Sequence, residues 1–254
     1  MNAVKTILAV GLILVFAGAA QAQWAVYNDF SDGTAVGGNY LNHASTAGSH
    51  TLKDTASVDR VTMDIAVSGG GGLYGGNAGI SLSGDALAIF GGICNGDRIY
   101  STDGQRALIM TFTGLDAAKL YDIVLYGARQ SYSGRVNWSE ISDVDAFTNI
   151  SHQETFYFGD SHSGPSDPTT GLPAELPPSG SGVQPWVHHY TNINPGADGD
   201  IVVTIDGDPA YGGPAYSAEW NVMRFSEIEN IPEPATMSLL ALGGLSVLLK
   251  RPRK

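Results

Sequence analysis

Apolar residues at every second position recur along this chain, and that period constrains the fold more than any other feature. In residues 61–68, Val61, Met63, Ile65 and Val67 fall on one side of an extended chain and Thr62, Asp64, Ala66 and Ser68 on the other. Ile201, Val203 and Ile205 repeat the pattern, as do Leu108, Met110 and Phe112, and residues 120–126 form a further β-rich run. Weaker strand signals lie at 24–30, 86–90, 155–158, 186–192 and 217–225. Turn-rich pieces such as 68–77 and 194–200 separate many of them. About nine or ten short strands without a convincing amphipathic helix predict an all-β sandwich. The one helical hint, at 115–120, reads better as a connection between strands.

The two ends of the chain carry a different signal. Lys5, the apolar run 7–17 and the small-x-small site Ala20-Gln21-Ala22 read as a signal peptide over residues 1–22, to be cut by signal peptidase so that the mature chain starts near Gln23. At the other end, Pro232-Glu233-Pro234 precedes an apolar stretch over 235–249 and the basic residues Lys250, Arg251, Arg253 and Lys254. A basic cluster after an apolar segment stays on the cytoplasmic side. The strongly apolar part, 237–249, falls short of the ~20 residues that span a bilayer as a stable helix, which suits transient anchoring in the inner membrane.

This order of Pro-Glu-Pro, short apolar helix and terminal basic cluster over 231–254 resembles the PEP-CTERM sorting signal, also catalogued as an ice-binding protein C-terminal domain. The resemblance implies export, processing by an exosortase-type membrane protease near the Pro-Glu-Pro, and delivery to the cell surface or beyond. It concerns sorting, and implies no ice binding for the body.

Between the two signals, residues 23–230 suffice for one sandwich domain. Within it, residues 159–185 hold Pro165, Pro168, Pro173, Pro177, Pro178 and Pro185 among Gly and Ser, which reads as a long exposed loop that cannot pair as a strand. The 25 Asp+Glu outnumber the 13 Lys+Arg, for a net charge of −12, and removing the basic tail makes the body more acidic still. Such a surface repels nucleic acid and anionic membranes. A single cysteine, Cys94, excludes an internal disulfide and a Cys-based zinc cluster. The pieces at 112–115, 121–127, 200–206 and 220–225 resemble the core of jelly-roll domains of the galactose-binding-like kind, which implies a carbohydrate-binding sandwich.

Chemical motifs are sparse. Phe158-Gly159-Asp160-Ser161-His162 resembles the nucleophile block of GDSL-type esterases, but no Asp-x-x-His follows Ser161 before the sorting tail, and the α/β setting of that motif is missing. The histidines His43, His50, His152, His162, His188 and His189 show no zinc-binding spacing; the last two are adjacent, so on a strand they point to opposite faces, one half-buried and one exposed. Asp198, Asp200, Asp206 and Asp208 flank a strand and offer the hard oxygens of a structural calcium site, with Asp29, Asp32, Asp143 and Asp145 as further donors, although turn chemistry alone explains Asp-Gly pairs. Trp186, His188 and Tyr190 alternate onto one side of a strand, where aromatic rings could offer platforms to sugars or belong to the core. The glycine-rich run 68–76 lacks the strand-to-helix context of a phosphate cradle. Asn137-Trp138-Ser139 and Asn149-Ile150-Ser151 match glycosylation acceptors formally, without weight beside a bacterial sorting tail.

The function this predicts is non-catalytic: a surface or matrix module, with no cofactor beyond calcium, engaging extracellular polysaccharide near Trp186 and Tyr190. A secreted esterase or glycosidase, and a purely architectural matrix protein, are the competing readings.

Overall fold

The alternation at 61–67 and 108–113 becomes two neighbouring antiparallel strands, and the same rule extends across the body. A computed structural model describes residues 22–30, 42–70, 72–77, 82, 84–91, 97–101, 107–127, 136–153, 162–165, 186–207 and 219–228. Along the chain these form β1 (Ala22–Asp29), β2 (Gly48–Lys53), β3 (Asp59–Val67), β4 (Leu73–Asn77), α1 (Gly84–Phe90), β5 (Asp97–Ser101), β6 (Leu108–Thr113), β7 (Leu120–Tyr126) and β8 (Val136–Ser142). There follow β9 (Ala146–Asn149), β10 (His152–Gln153), β11 (His162–Pro165), β12 (Trp186–Asn194), β13 (Ile201–Gly207), β14 (Glu219–Trp220) and β15 (Val222–Ile228).

Two six-stranded sheets face one another. The front sheet runs β1-β15-β7-β12-β10, with β9 also paired to β12; the back sheet runs β11-β8-β13-β6-β3-β2. A small third sheet, β14-β5-β4, adds to them. Pairing is antiparallel except between β11 and β8. Successive strands cross from sheet to sheet at β6 to β7, β7 to β8, β8 to β9 and β12 to β13, the kind of crossing a jelly roll requires. The expected all-β sandwich is therefore the observed architecture, and Ala22–Ile228 forms a compact unit of its own.

Register shows why the alternation matters. In the back sheet Ile65 pairs with Met110 and Met110 with Val203, while Met63, Phe112 and Ile201 make the next row; all are buried. In the front sheet Phe225 pairs with both Ile123 and Val26, and these too face inward. The front sheet is covered on its other side as well. Ala86 and Phe90 of α1 sit one helical turn apart and pack with Val124, Tyr126, Val187 and Val222. That double covering explains why β7 is buried from Tyr121 through Tyr126 instead of alternating.

Three readings of the sequence change. Residues 86–90 are helical, because a short apolar run fits a helix as well as a strand and here its i, i+4 pair meets a sheet face. The turn-rich piece 68–77 ends in β4, whose glycines hide the strand period. Part of the Pro/Gly/Ser segment does pair: His162–Pro165 is an edge strand on β8, a place where proline is tolerated. The segment 155–158 and the remainder of 159–185 lie outside the described residues. Residues 115–119 connect β6 to β7, as expected.

The turn after β12 is fastened to that connection. Gly199 has φ of +73° and its carbonyl accepts from the Leu115 N–H at 3.0 Å. A Cβ on Gly199 would run into the Leu115 carbonyl oxygen, which belongs to backbone and cannot rotate away. Gly199→Ala should therefore cost roughly 2–4 kcal/mol, through left-handed strain and this clash. Urea unfolding of the two proteins checks it, and an unchanged midpoint would contradict it.

Candidate functional site

β12 sends alternate side chains into two unlike environments. His188 and Tyr190 point inward and are buried, and Trp186 is half-buried. Opposite them, Ser139 of β8 occupies a back-sheet row with Ile205 and Leu108. Its Oγ lies 2.5 Å from His188 Nδ1 and 2.7 Å from Tyr190 Oη, and Tyr190 Oη donates to the Ser139 carbonyl at 2.9 Å. The three residues thus join the two sheets through the interior. Trp220 meets the His188 ring edge-on, with centroids 4.7 Å apart and planes at 85°.

One assignment of protons leaves every donor of the three side chains paired. His188 Nδ1–H donates to Ser139 Oγ, Ser139 Oγ–H to Tyr190 Oη, and Tyr190 Oη–H to the Ser139 carbonyl. His188 Nε2 is then a bare acceptor, consistent with its having no hydrogen-bond partner among the described residues. In this assignment histidine donates to serine, the reverse of a base activating a nucleophile. Burial lowers the His188 pKa to about 3 and pushes the Tyr190 hydroxyl up.

His189 points the other way, as adjacent strand positions must, although it is partly buried rather than exposed. On the outer face of the front sheet its Nε2 lies 2.6 Å from Asp122 Oδ1, and Arg224 Nη2 donates to Asp122 Oδ2 at 2.7 Å. The His189 N–H donates to Ser151 Oγ at 2.9 Å. Burial by itself would raise the Asp122 carboxyl, but the hydrogen bonds and charges of His189 and Arg224 outweigh it and hold the group below the ordinary range. Nearby, His152 Nε2 lies 3.2 Å from Asp85 Oδ2, linking β10 to α1.

The proposed sugar face on β12 is thus corrected: His188 and Tyr190 line the core, so neither ring presents a face to an external ligand. The calcium residues do not converge either. Asp198 and Asp200 lie just before β13, in and after the turn that follows β12, and Asp206 lies near the end of β13, about 20 Å along an extended strand from Asp200. Asp208 lies outside the described residues, among which no three His, Cys, Asp or Glu side chains gather around a common point. Ser161, Ala20 and the sorting residues Pro232, Glu233, Pro234, Lys250, Arg251, Arg253 and Lys254 also lie outside them, as does the apolar stretch 235–249. Among the described residues no helix is long and apolar enough to cross a membrane. Ala22 opens β1 and pairs with Ile228, one register shift away from the rest of the β1–β15 ladder.

Ser139, Trp220, Asp122 and Arg224 escaped the sequence reading because their partners are distant in sequence and no local spacing marks them. The His188-His189 pair was the available signal, since two adjacent imidazoles on a strand must find two separate sets of partners.

Comparison with known proteins matches residues 230–254 to the PEP-CTERM protein-sorting motif. No curated protein and no solved structure matches the chain.

The buried histidine makes acid stability testable. In the fold it stays neutral down to pH about 3, whereas the unfolded chain takes up its proton near 6.5. The unfolded state therefore binds more protons across that window, and stability falls as pH drops through it. Asp122 acts in the same direction but lower, its contribution being present above 3.8 and lost as pH falls through its depressed folded value. Between pH 7.5 and 4.5 the His188 effect should dominate, at about 2–3 kcal/mol. Urea unfolding at both pH values should show that loss, largely removed in His188→Gln. Equal pH dependence in the variant would contradict the assignment.

Proposed function

We propose that the folded body is a non-catalytic module that engages neutral extracellular polysaccharide after the chain has been sorted outward. The motif at 230–254 implies an exported protein, processed by an exosortase-type protease and directed to the surface. The binding role of the body is our own reading, and one observation carries its non-catalytic part. Ser139 and His188, which form the one serine–histidine side-chain contact among the described hydrogen bonds, are both fully buried between the sheets. A hydroxyl in that position cannot meet a substrate, and its imidazole is committed to joining the sheets.

Charge and rigidity both favour a neutral polysaccharide as the ligand. Outside the cell the abundant polymers are polysaccharides, proteins and nucleic acids, and an acidic surface repels the polyanions among them. Two large sheets closed over one core also supply a rigid base on which exposed side chains can be held for recognition.

Native gel electrophoresis of the secreted protein, in gels containing soluble laminarin, dextran or galactomannan, tests this reading. Saturable retardation by at least one of these neutral glycans, without release of reducing ends, is the expected result. Unchanged mobility in all three, or degradation of the glycan, would contradict it.

A further inference from the structure

The small sheet carries an aromatic pair that no motif singled out. Tyr74 of β4 and Tyr100 of β5 are register partners, with ring centroids 6.0 Å apart and planes inclined by 28°. Tyr74 is 50% exposed, whereas Ile99 and Trp220, which pair on the opposite face of the same sheet, are 0% exposed. Leu73, next to Tyr74, also packs on the main core. The pair therefore stands on the outer face of a sheet whose rear is anchored.

Glycines shape how the rings lie. Alternation puts Gly72 and Gly76 on the same side of the chain as Tyr74. A Cβ on Gly72 would come within 2.5 Å of Tyr74 Cε2, and one on Gly76 within 3.4 Å of Tyr100 Cε1. Each ring thus leans over bare backbone where any other residue would place a side chain. The glycine-rich run, read from sequence as a turn-rich piece, is what lets two large rings settle side by side on this surface.

We propose that Tyr74 and Tyr100 form a stacking platform for a neutral polysaccharide, which rests on the function proposed above and assigns it a site. Near-parallel aromatic rings match the apolar C–H faces of sugar rings. The occupant is a neutral glycan for two reasons. The excess of 25 acidic over 13 basic residues opposes acidic polymers. Among the described residues the other exposed large apolar side chains, Val58, Leu87 and Ile150, lie outside the small sheet, and two tyrosines cover far less than the roughly 800 Å² per partner of a stable protein interface.

The test compares the secreted protein with Tyr74→Ala, Tyr100→Ala and Tyr74→Phe in gels containing laminarin, dextran or galactomannan, with alginate and chitosan as anionic and cationic probes. Expected are at least tenfold weaker retardation by the bound neutral glycan in each alanine variant, near-normal retardation in Tyr74→Phe, and unchanged melting temperatures. If the alanine variants bind as tightly as the parent, the platform is wrong while the binding function stands. Absence of neutral-glycan binding by the parent removes both. Binding to chitosan alone, abolished by salt, overturns the platform in favour of simple charge attraction. If an alanine variant fails to fold, nitration of Tyr74 in the parent replaces it: the bound glycan should slow modification, and an unaffected rate would overturn the proposal.

Discussion

The antiparallel pairing of the first strand with the last holds the body together. Val26 of β1 faces Phe225 of β15, and Phe225 stacks on Phe112 of the opposite sheet at a centroid distance of 4.7 Å. Tyr121 and Trp24 lie against the same ring at 5.5 and 6.0 Å. Aromatic pairs of this kind contribute about 0.5–1.5 kcal/mol each beyond the area they bury. The pairing also places Ala22 beside Ile228. The expected signal-peptide cut therefore falls at the start of β1, and the Pro-Glu-Pro begins shortly after β15 ends. The inward-facing residues of the sandwich all lie between Ala22 and Ile228.

Polar groups inside this body are organised by the sheet they belong to. Ser139, His188 and Tyr190 connect the two sheets through a chain of hydrogen bonds, and the desolvation that keeps His188 neutral is what makes the chain self-consistent. One residue along, His189 lies against Asp122 on the outer face, where the contacts of His189 and Arg224 hold the buried Asp122 carboxylate ionised. Each group supports the fold. The proposed recognition surface lies in a third place, the outer face of the small sheet, where Tyr74 is half exposed.

What could be read from the sequence follows from how many faces each strand buries. β3, β6 and β13 bury one face, so their alternation survives in the residues and the sandwich is legible. β2 is an edge strand with one buried residue, Leu52, and β4 is rich in glycine; neither carries the period strongly enough to be recognised. α1 looks like a strand because its apolar run is too short to display a helical period. On β12 the shared face of His188 and Tyr190 was legible, but its direction was not. That depends on Ser139, which is about fifty positions away in sequence and reaches them only once both sheets have formed. The sorting tail was legible because its three parts occur in order within one short segment.

The most direct test of the account is amide hydrogen exchange on the secreted, processed protein. If β1 and β15 close the body independently of both sorting signals, the amides of Val26 and Phe225 should exchange as slowly as those of the core strands β6 and β13, at the rate of global unfolding. Exchange of the β1 and β15 amides at the rate of frayed ends, while β6 and β13 stay protected, would contradict it.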